Sequence, residues 1–369
     1  MNTLTIAGFM SGTSMDALDC CIAKISINSF YKLDYKIIAQ KSFVFNQKTI
    51  IKIKDYIGET KKNKINEIDL YLGEEFFNLS KDFISNYKID AIAIHGQTIH
   101  HKDKINSIQV GSPVYMASFF NKPIIFNFRQ KDIECGGTGA PLMPFLDWLI
   151  FKDINLDTLT LNIGGVSNIA FIPKSSTKDD VIGFDVGPGM SLIDECVNYF
   201  WSKKCDYNGK YSIEGKVNDN ILNYLLLNTP FILKHPPKST GREDFGINYL
   251  SNIIKKYNDI KPLDILRTLV KFSAIIIKMN IEKFVLNRFQ VDQLIITGGG
   301  AEHPILIKNI KKNLDIPIIN MIDYGVESKF KESLLISVLG YSKIKNIKSN
   351  IPSVTGAKKE IVLGDIYES

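Results

Sequence analysis

Residues 7–25, AGFMSGTSMDALDCCIAKI, and residues 161–172, LNIGGVSNIAFI, decide the fold that this sequence predicts. Each stretch is a glycine-bearing turn between two short apolar runs, a pattern typical of paired strands. The same unit therefore recurs after about 150 residues, as in a chain built from two similar lobes. Backbone N–H groups and hydroxyls on two such turns can bind a phosphate chain from two sides.

The composition is that of a globular protein, with 45% hydrophobic and 23% charged residues in a chain of 369. This length is enough for two domains with separate cores. The net charge of +6 comes from scattered lysines, without the basic tract and interleaved aromatics typical of nucleic-acid binding. The five cysteines form no CxxC pair, and the sequence has neither an export signal nor about 18 consecutive apolar residues. We therefore expect a cytoplasmic protein without nucleic-acid or membrane partners.

Strand-like runs alternate with helical patterns, which indicates α/β layers. The spacing of apolar residues between Ile68 and Phe83 predicts an amphipathic helix, and Pro262–Leu286 reads as one long helix. The pattern restarts near residues 130–155. We therefore expect a first lobe over residues 1–135, with residues 346–369 as a candidate addition to it, and a second lobe over residues 136–345.

The first turn, SGTSMDALD over residues 11–19, carries groups suited to a phosphorylated ligand. Glycine allows the backbone to approach an anion closely, and hydroxyls donate to phosphate oxygens. Asp16 or Asp19 can hold Mg²⁺ directly or through water. An exposed hairpin with an Asx-type turn is the alternative interpretation, because polar turn residues also favour it.

Two further glycine groups offer similar chemistry. Asn162, Gly164 and Gly165 repeat the phosphate-binding pattern, and Gly298–Gly300 follow the buried strand QLIIT, where a nucleotide can lie against bare backbone. Glycine costs conformational entropy, so three in a row are hard to explain by stability. The chain has neither the GxxxxGK[ST] P-loop nor a GxGxxG dinucleotide motif.

Asp185 is the candidate general base. It lies in GFDVGPG, at the end of an apolar strand and before a Gly-Pro-Gly turn, where an α/β sheet presents side chains to ligands. The alternative role is an N-cap for the helix that contains Leu192 and Ile193.

Histidines and an arginine suggest substrate contacts in the first half of the chain. His95, Gln97, His100 and His101 cluster after AIAI, but their spacing does not match a zinc signature, which favours either hydrogen bonding to substrate or ordinary loop contacts. Arg129 can bind a carboxylate in bidentate fashion. A salt bridge from Arg129 to Asp132 or Glu134 is the alternative.

Seven motifs together resemble the anhydro-N-acetylmuramic acid kinase family, in order and over nearly the full chain: MSGTSMDALD, HGQT, ECGGTGAPLMP, NIGGVSN, GFDVGPG, PPKSTGRE and TGGGAEHP. The resemblance implies an α/β fold of two actin-like, ribonuclease H-like lobes with an ATP cleft between them. It implies ATP and Mg²⁺ as cofactors and an amino sugar as substrate. The implied reaction phosphorylates 1,6-anhydro-N-acetylmuramic acid and opens its 1,6-anhydro ring, giving N-acetylmuramic acid 6-phosphate during murein recycling.

The resemblance also assigns residues. It implies Asp185 and Glu332 as catalytic residues and Asp16 as the metal-binding residue. The residues assigned to ATP are Gly12, Thr13, Ser14, Met15, Asp16, Ala17, Leu18, Asp19, Asn162, Gly164, Gly165, Gly298, Gly299 and Gly300. The residues assigned to the sugar are His95, Gln97, Arg129, Asp132, Gly139 and Pro141.

The chain departs from the family pattern at four positions. FDVGPGM replaces FDTGPGN at Val186 and Met190, NFR replaces DFR at Asn127, and GGTGAP replaces GGQGAP at Thr138. Lost donors near a site weaken or redirect substrate binding. The alternatives are therefore a kinase of another sugar on the same fold and a non-catalytic ATP-binding sensor. From the family, a homodimer is also expected.

Overall fold

The computed structural model describes residues 3–12, 15–241 and 244–368, which form two compact units. The first unit comprises Met1–Asp153, Thr177–Asp180 and Gly325–Ser369. The second comprises Ile154–Ser176 and Val181–Tyr324. Each unit is built on one mixed β-sheet with its own hydrophobic core.

The secondary structure alternates between strands and helices along the chain. The strands are β1 (Leu4–Ser11), β2 (Ala17–Ile27), β3 (Leu33–Val44), β4 (Ala91–Lys102), β5 (Asn106–Val110), β6 (Ile124–Phe126), β7 (Thr158–Ile163), β8 (Val166–Ile172), β9 (Ile182–Pro188), β10 (Gln293–Thr297), β11 (Ile318–Ile319) and β12 (Asp365–Tyr367). The helices are α1 (Gln47–Asp55), α2 (Lys62–Ser85), α3 (Val114–Phe120), α4 (Gln130–Glu134), α5 (Met143–Phe151), α6 (Ser191–Trp201), α7 (Asp219–Leu227), α8 (Ile247–Lys256), α9 (Pro262–Ile281), α10 (Pro304–Asn313), α11 (Lys331–Ile344) and α12 (Pro352–Thr355).

Five strands of the seven-stranded first sheet follow the same order as the five strands of the second sheet, and β5 and β12 are additional strands of the first. In the first unit, β1, β2 and β3 form an antiparallel meander, while β4 pairs parallel with β1 and β6 pairs parallel with β4. In the second unit, β7, β8 and β9 form the meander, while β10 pairs parallel with β7 and β11 pairs parallel with β10. The prediction of two ribonuclease H-like α/β lobes is confirmed by this repeated topology.

Several predicted elements are confirmed, and one boundary is corrected. The amphipathic pattern forms α2, and Pro262–Leu286 forms α9 followed by a π-helical turn at Glu282–Leu286. The first turn is shorter than the predicted residues 11–19. β1 runs through Ser11 and β2 begins at Ala17, because strand pairing continues until Met10 faces Asp19.

Helix α11 packs directly on the first sheet through two glycines. A Cβ at Gly8 of β1 would overlap the backbone carbonyl of Ser333, and a Cβ at Gly340 would lie 2.7 Å from the Ala93 Cβ. Only glycine permits so close an approach of helix and strand. The contact fixes the start of α11, which carries Glu332, relative to the end of β1.

The unit boundaries differ from those drawn on the sequence at residues 135 and 346. Helices α5 and α11 both belong to the first unit. The ammonium of Lys331 in α11 forms an ion pair with Asp147 of α5, and each side chain is only 2% exposed. A buried charge requires such a partner, and this pairing between distant segments is not visible in local sequence patterns.

No helix among the described residues is both long and apolar enough to span a membrane.

We predict that Lys331→Met lowers the free energy of unfolding by about 3–5 kcal/mol, because it leaves the Asp147 carboxylate buried without its partner. The matched control is Lys278→Met, which removes a partly exposed pair with Glu282 and should change stability by less than about 1 kcal/mol. Chemical denaturation measures both variants. Adding Asp147→Leu to Lys331→Met should recover part of the loss, and equal effects of the two lysine variants would contradict the prediction.

Candidate active site

In the first unit, the carboxyl end of β1 lies beside Gln97 of β4, where the parallel pairing of the two strands ends and β4 continues to Lys102. Their parallel register pairs Ser11 with Gln97, and the Ser11 hydroxyl donates to Gln97 Oε1 over 2.6 Å. Both side chains are buried. Polar groups at the carboxyl ends of parallel strands are where α/β sheets usually bind ligands.

Half-buried Arg129 and buried His95 form a hydrogen-bonded pair near the end of β1. The Arg129 Nε donates to His95 Nε2 over 3.0 Å, and Nη1 donates to the Gly139 carbonyl over 2.9 Å. Because arginine only donates, His95 carries its hydrogen on Nδ1, which lies 2.8 Å from the Gly96 carbonyl. Burial and the Arg129 charge lower the pKa of His95 to about 3. The imidazole is therefore neutral and orients the guanidinium.

Glu332 supplies a carboxylate to the same region. A Cβ at Gly12 would lie 3.8 Å from Glu332 Oε2, so this carboxylate faces the start of the β1–β2 turn. Burial raises the pKa of Glu332, while the charges of Arg129 and Lys331 act in the opposite direction. Burial lowers the pKa of Arg129 to about 10, which leaves its guanidinium positive at neutral pH.

The β1–β2 turn brings two further carboxylates near each other. Burial raises the pKa of Asp19, and the negative charge of Asp16 adds to the effect. Thr13 and Ser14 lie outside the described residues. Across the described ranges, no three His, Cys, Asp or Glu side chains are grouped so that they could hold a metal ion alone. One or two carboxylates completed by phosphate oxygens are, however, a donor set that Mg²⁺ takes.

The Asp132 side chain forms hydrogen bonds within the first unit and is not exposed to solvent. It is fully buried, and its Oδ2 accepts from the Gly139 amide over 2.9 Å. Its Oδ1 accepts from Asn350 Nδ2 over 3.0 Å and from the Thr355 hydroxyl over 2.9 Å. Asp132 thus anchors the loop of Gly139 and Pro141, and that loop returns the Gly139 carbonyl to Arg129. Neither predicted salt bridge, to Asp132 or to Glu134, is among the hydrogen-bonding contacts of Arg129.

The remaining histidines of the predicted cluster interact with the β4–β5 hairpin. His100 Nε2 lies 3.1 Å from Asn106 Oδ1, and His101 Nδ1 lies 2.8 Å from the Ser107 hydroxyl. His100 and His101 thus bond within the hairpin, whereas His95, earlier in β4, bonds to Arg129.

In the second unit, the Gly164–Gly165 turn between β7 and β8 contacts the start of α6. The amides of Gly189 and Ser191 donate to the Gly165 carbonyl over 2.8 and 3.0 Å, and the Met190 amide donates to the Gly164 carbonyl over 2.8 Å. These bonds fix the turn against a helix N-terminus. They also use the amides of residues 189–191, so the glycine turn itself is the part of this region suited to bind an anion.

The three consecutive glycines after β10 have different packing requirements. Gly298 has a φ of 84°, and a Cβ there would lie 2.6 Å from Asn162 Oδ1. A Cβ at Gly300 would overlap the Ile163 side chain. At Gly299 an added Cβ would meet no described atom within 4 Å. Packing therefore explains Gly298 and Gly300, and leaves Gly299 with an open face suited to a ligand.

Asp185 lies within β9, three residues before its end, and is oriented by residues 238–240. Its amide donates to the Lys238 carbonyl over 3.1 Å, and its Oδ2 accepts from the Thr240 amide over 3.0 Å. The N-cap position of α6 is Met190, without a side-chain cap bond, so Asp185 does not cap that helix. Sequence reasoning missed the role of residues 238–240, although their motif PPKSTGRE supported the resemblance.

The four departures from the family pattern are accommodated inside the protein. Val186 and Met190 pack in the core of the second unit. Asn127 Nδ2 donates to Asp365 Oδ2 over 2.7 Å, and the Thr138 hydroxyl donates to the Ala140 carbonyl over 2.6 Å. Each polar replacement therefore has an internal partner.

Comparisons with known proteins agree along the whole chain. The family model described as Anhydro-N-acetylmuramic acid kinase matches residues 4–369. A protein of that name from Francisella tularensis subsp. novicida is 37% identical over 372 residues, covering 97% of each chain. Another from Clostridioides difficile is 38% identical over 378 residues, again covering 97% of each chain. A third, from Bacillus cereus strain Q1, is 34% identical and covers 98% of each chain.

We predict that Gly300→Ala lowers the free energy of unfolding by about 1–3 kcal/mol, because its methyl group overpacks against Ile163. The neighbouring Gly299→Ala is the matched control and should stay within about 0.5 kcal/mol of wild type. Thermal and chemical denaturation without ligand compare the two variants. Equal stability losses would show that the open face of Gly299 has been misjudged.

Proposed function

We infer the function from one premise: this chain belongs to the anhydro-N-acetylmuramic acid kinase family, whose model matches residues 4–369. The chain uses ATP to phosphorylate 1,6-anhydro-N-acetylmuramic acid at the oxygen of carbon 6 and opens the 1,6-anhydro ring. The product is N-acetylmuramic acid 6-phosphate, and the reaction serves recycling of cell-wall murein in the cytoplasm. The observation that carries this proposal is the Asp185 carboxylate on β9, oriented by the Thr240 amide.

Asp185 is the proposed general base. Its carboxylate takes a proton from a water molecule, whose oxygen forms a new bond to the anomeric carbon as the bond from that carbon to the bridging oxygen breaks. The bridging oxygen remains on carbon 6 and attacks the γ-phosphorus of ATP, displacing ADP. The Thr240 amide donates to Oδ2, which holds the carboxylate in a defined orientation.

The glycine turns are proposed to bind ATP. Gly12 and its neighbours in the β1–β2 turn contact the phosphates, as do Asn162, Gly164 and Gly165 in the second unit. The adenosine lies against Gly298–Gly300, and the open face of Gly299 supports this assignment. Phosphoryl transfer depends mainly on such positioning and on charge neutralisation.

Mg²⁺ is the proposed metal, held by Asp16 with help from Asp19. Their mutual repulsion, which contributes to the raised pKa of Asp19, is relieved by a divalent cation. When bound, Mg²⁺ neutralises negative charge on the phosphates.

Arg129, His95 and Gln97 are proposed to bind the sugar. Muramic acid carries a lactyl carboxylate, and a guanidinium that stays positive and is fixed by His95 and the Gly139 carbonyl is suited to bind it. Glu332, close to Gly12 and to this arginine, is proposed to assist the reaction from the first unit. The raised pKa of Glu332 suits a carboxyl group that exchanges a proton during the reaction.

The internal partners of Asn127 and Thr138 favour the anhydro sugar over another sugar. A changed substrate would be expected if these side chains pointed a new donor or acceptor at the ligand. Their hydrogen bonds to Asp365 and Ala140 instead use them within the first unit. A non-catalytic sensor is disfavoured because Asp16, Asp185 and Glu332 are all retained.

We predict that Asp185→Asn lowers kcat on the order of a hundredfold to ten-thousandfold, because the amide cannot accept the proton from water. ATP binding should be preserved, which calorimetry with a non-hydrolysable analogue checks. Wild-type turnover in ¹⁸O-water should label the product at carbon 1 and leave the phosphoryl group unlabelled, as read by mass spectrometry. Near-normal turnover of the variant, or label in the phosphoryl group, would exclude Asp185 as the base for water.

We predict that Asp16→Asn raises the KM for MgATP at least about tenfold, because the amide is a weaker Mg²⁺ ligand. The matched control is Asp34→Asn on the exposed edge strand β3, which should leave the KM unchanged. Steady-state kinetics over a range of Mg²⁺ concentrations measure both. Unchanged Mg²⁺ dependence in Asp16→Asn would exclude it from the metal site.

A further inference from the structure

A buried polar network lies behind the proposed base. The Lys238 Nζ donates to Asn280 Oδ1 over 2.6 Å and to the carbonyls of Phe231 and Ile232, each over 3.2 Å. Asn280 in α9 is fully buried, and its Nδ2 donates to the Val186 carbonyl over 3.2 Å. All three ammonium hydrogens therefore have acceptors inside the second unit.

The network closes on Asp185 from both sides. The Asp185 amide donates to the Lys238 carbonyl, and Asn280 binds the carbonyl of the next residue, Val186. Two residues after Lys238, the Thr240 amide donates to the carboxylate itself. The backbone around Asp185 and one carboxylate oxygen are thus fixed by a segment that the Lys238 side chain anchors.

This anchor is costly for the fold. The ammonium lies among the rings of Phe184, Phe231 and Phe284, 4.8–5.5 Å from their centroids, and Lys238 is only 6% exposed. Burying an ammonium group costs several kcal/mol before its interactions are counted. A methionine would fill this apolar volume without that cost but would leave Asn280 Oδ1 and two backbone carbonyls without this donor, so the lysine is what holds these groups together.

We propose that Lys238, acting through Asn280, is a positioning residue that holds the Asp185 carboxylate in its reactive orientation. This inference rests on the proposed function, in which Asp185 is the general base. Lys238 does not contact substrate in this role, because its ammonium hydrogens are all used internally.

The proposal has a pH signature. Burial lowers the pKa of Lys238 to about 8, and the positive charges of Lys283 and Lys234 add to this, while Asp185 opposes it. These are the charged groups that act on it among the described residues, and the three rings around it are neutral. The network is complete below that pH, with a charged ammonium and three donated hydrogens. Above it one hydrogen and the charge are lost, so kcat should fall on the alkaline side.

The test compares Lys238→Met with Lys178→Met. Lys178 is matched because it is also buried, with a pKa lowered to about 8, and lies near the rings of Tyr31, Phe145 and Trp148 in the first unit. Lys238→Met should lower kcat on the order of a hundredfold, keep the KM for ATP within about twofold and abolish the alkaline fall. Lys178→Met should retain that fall and a kcat near the wild-type value.

A second variant keeps the test decisive if Lys238→Met fails to fold. Asn280→Asp keeps the Oδ1 acceptor for Lys238 and places a negative charge beside the ammonium; because it also removes the Nδ2 donor to the Val186 carbonyl, its readout is the pH of the alkaline fall and not the absolute kcat. The pKa of Lys238 should rise, moving the alkaline fall upward by at least about one pH unit. A purely structural role of Lys238 predicts no such shift.

Two further measurements distinguish failure of the proposed function from failure of the positioning role. They are product formation by the wild-type enzyme and amide hydrogen exchange. Wild-type enzyme that makes no product from the anhydro sugar would reject the function, and exchange would then decide the positioning role. Faster exchange at Asp185 and Thr240 in Lys238→Met than in Lys178→Met would support it. Equal exchange, a wild-type-like kcat in Lys238→Met, or an unmoved alkaline fall in Asn280→Asp would overturn it.

Discussion

The parallel pairing of β1 with β4 in the first unit, and of β7 with β10 in the second, is the constraint on which the candidate ligand-binding residues of each unit depend. In the first unit it places Ser11 beside Gln97, and in the second it places Thr297 beside Asn162. Each pairing joins segments that are far apart in sequence and brings a glycine turn to the carboxyl end of a neighbouring strand. Five strands follow the same order in both sheets. Each unit therefore presents a glycine turn with backbone groups at the equivalent position of its sheet.

Two charged side chains, Arg129 and Lys331, have buried partners close to the candidate site residues of the first unit. His95 is held neutral by burial and by Arg129, so it accepts a hydrogen bond from the guanidinium without competing for its charge. Lys331 pairs with Asp147 at the start of α11, next to Glu332. Such pairs contribute little net stability, because desolvation offsets much of the attraction. Their effect is geometric, since each limits the orientations of a side chain that faces the site.

Local patterns predicted the elements but not the partners that fix their side chains. The β7–β8 hairpin, α2 and α9 follow from periodicity and glycine turns, which act over a few residues. The role of Asp132 depends on Asn350 and Thr355, which are 218 and 223 residues away. No local pattern contains that information, so the sequence did not predict that this carboxylate is bonded to three groups within the protein. Contacts between distant segments also explain why the sequence did not indicate the interaction of Lys238 with Asn280. They likewise explain why the first unit extends past α5.

The replacement at Val186 is explained by strand geometry. Successive side chains of a strand point to opposite faces, and β9 places Asp185 beside the Thr240 amide while Val186 packs in the core. A hydroxyl at position 186 would therefore belong to the core face and not to the face of the base. What Val186 offers to the site is its carbonyl, which accepts from Asn280 and is independent of side-chain identity. The departure from the family pattern thus leaves the support of Asp185 intact.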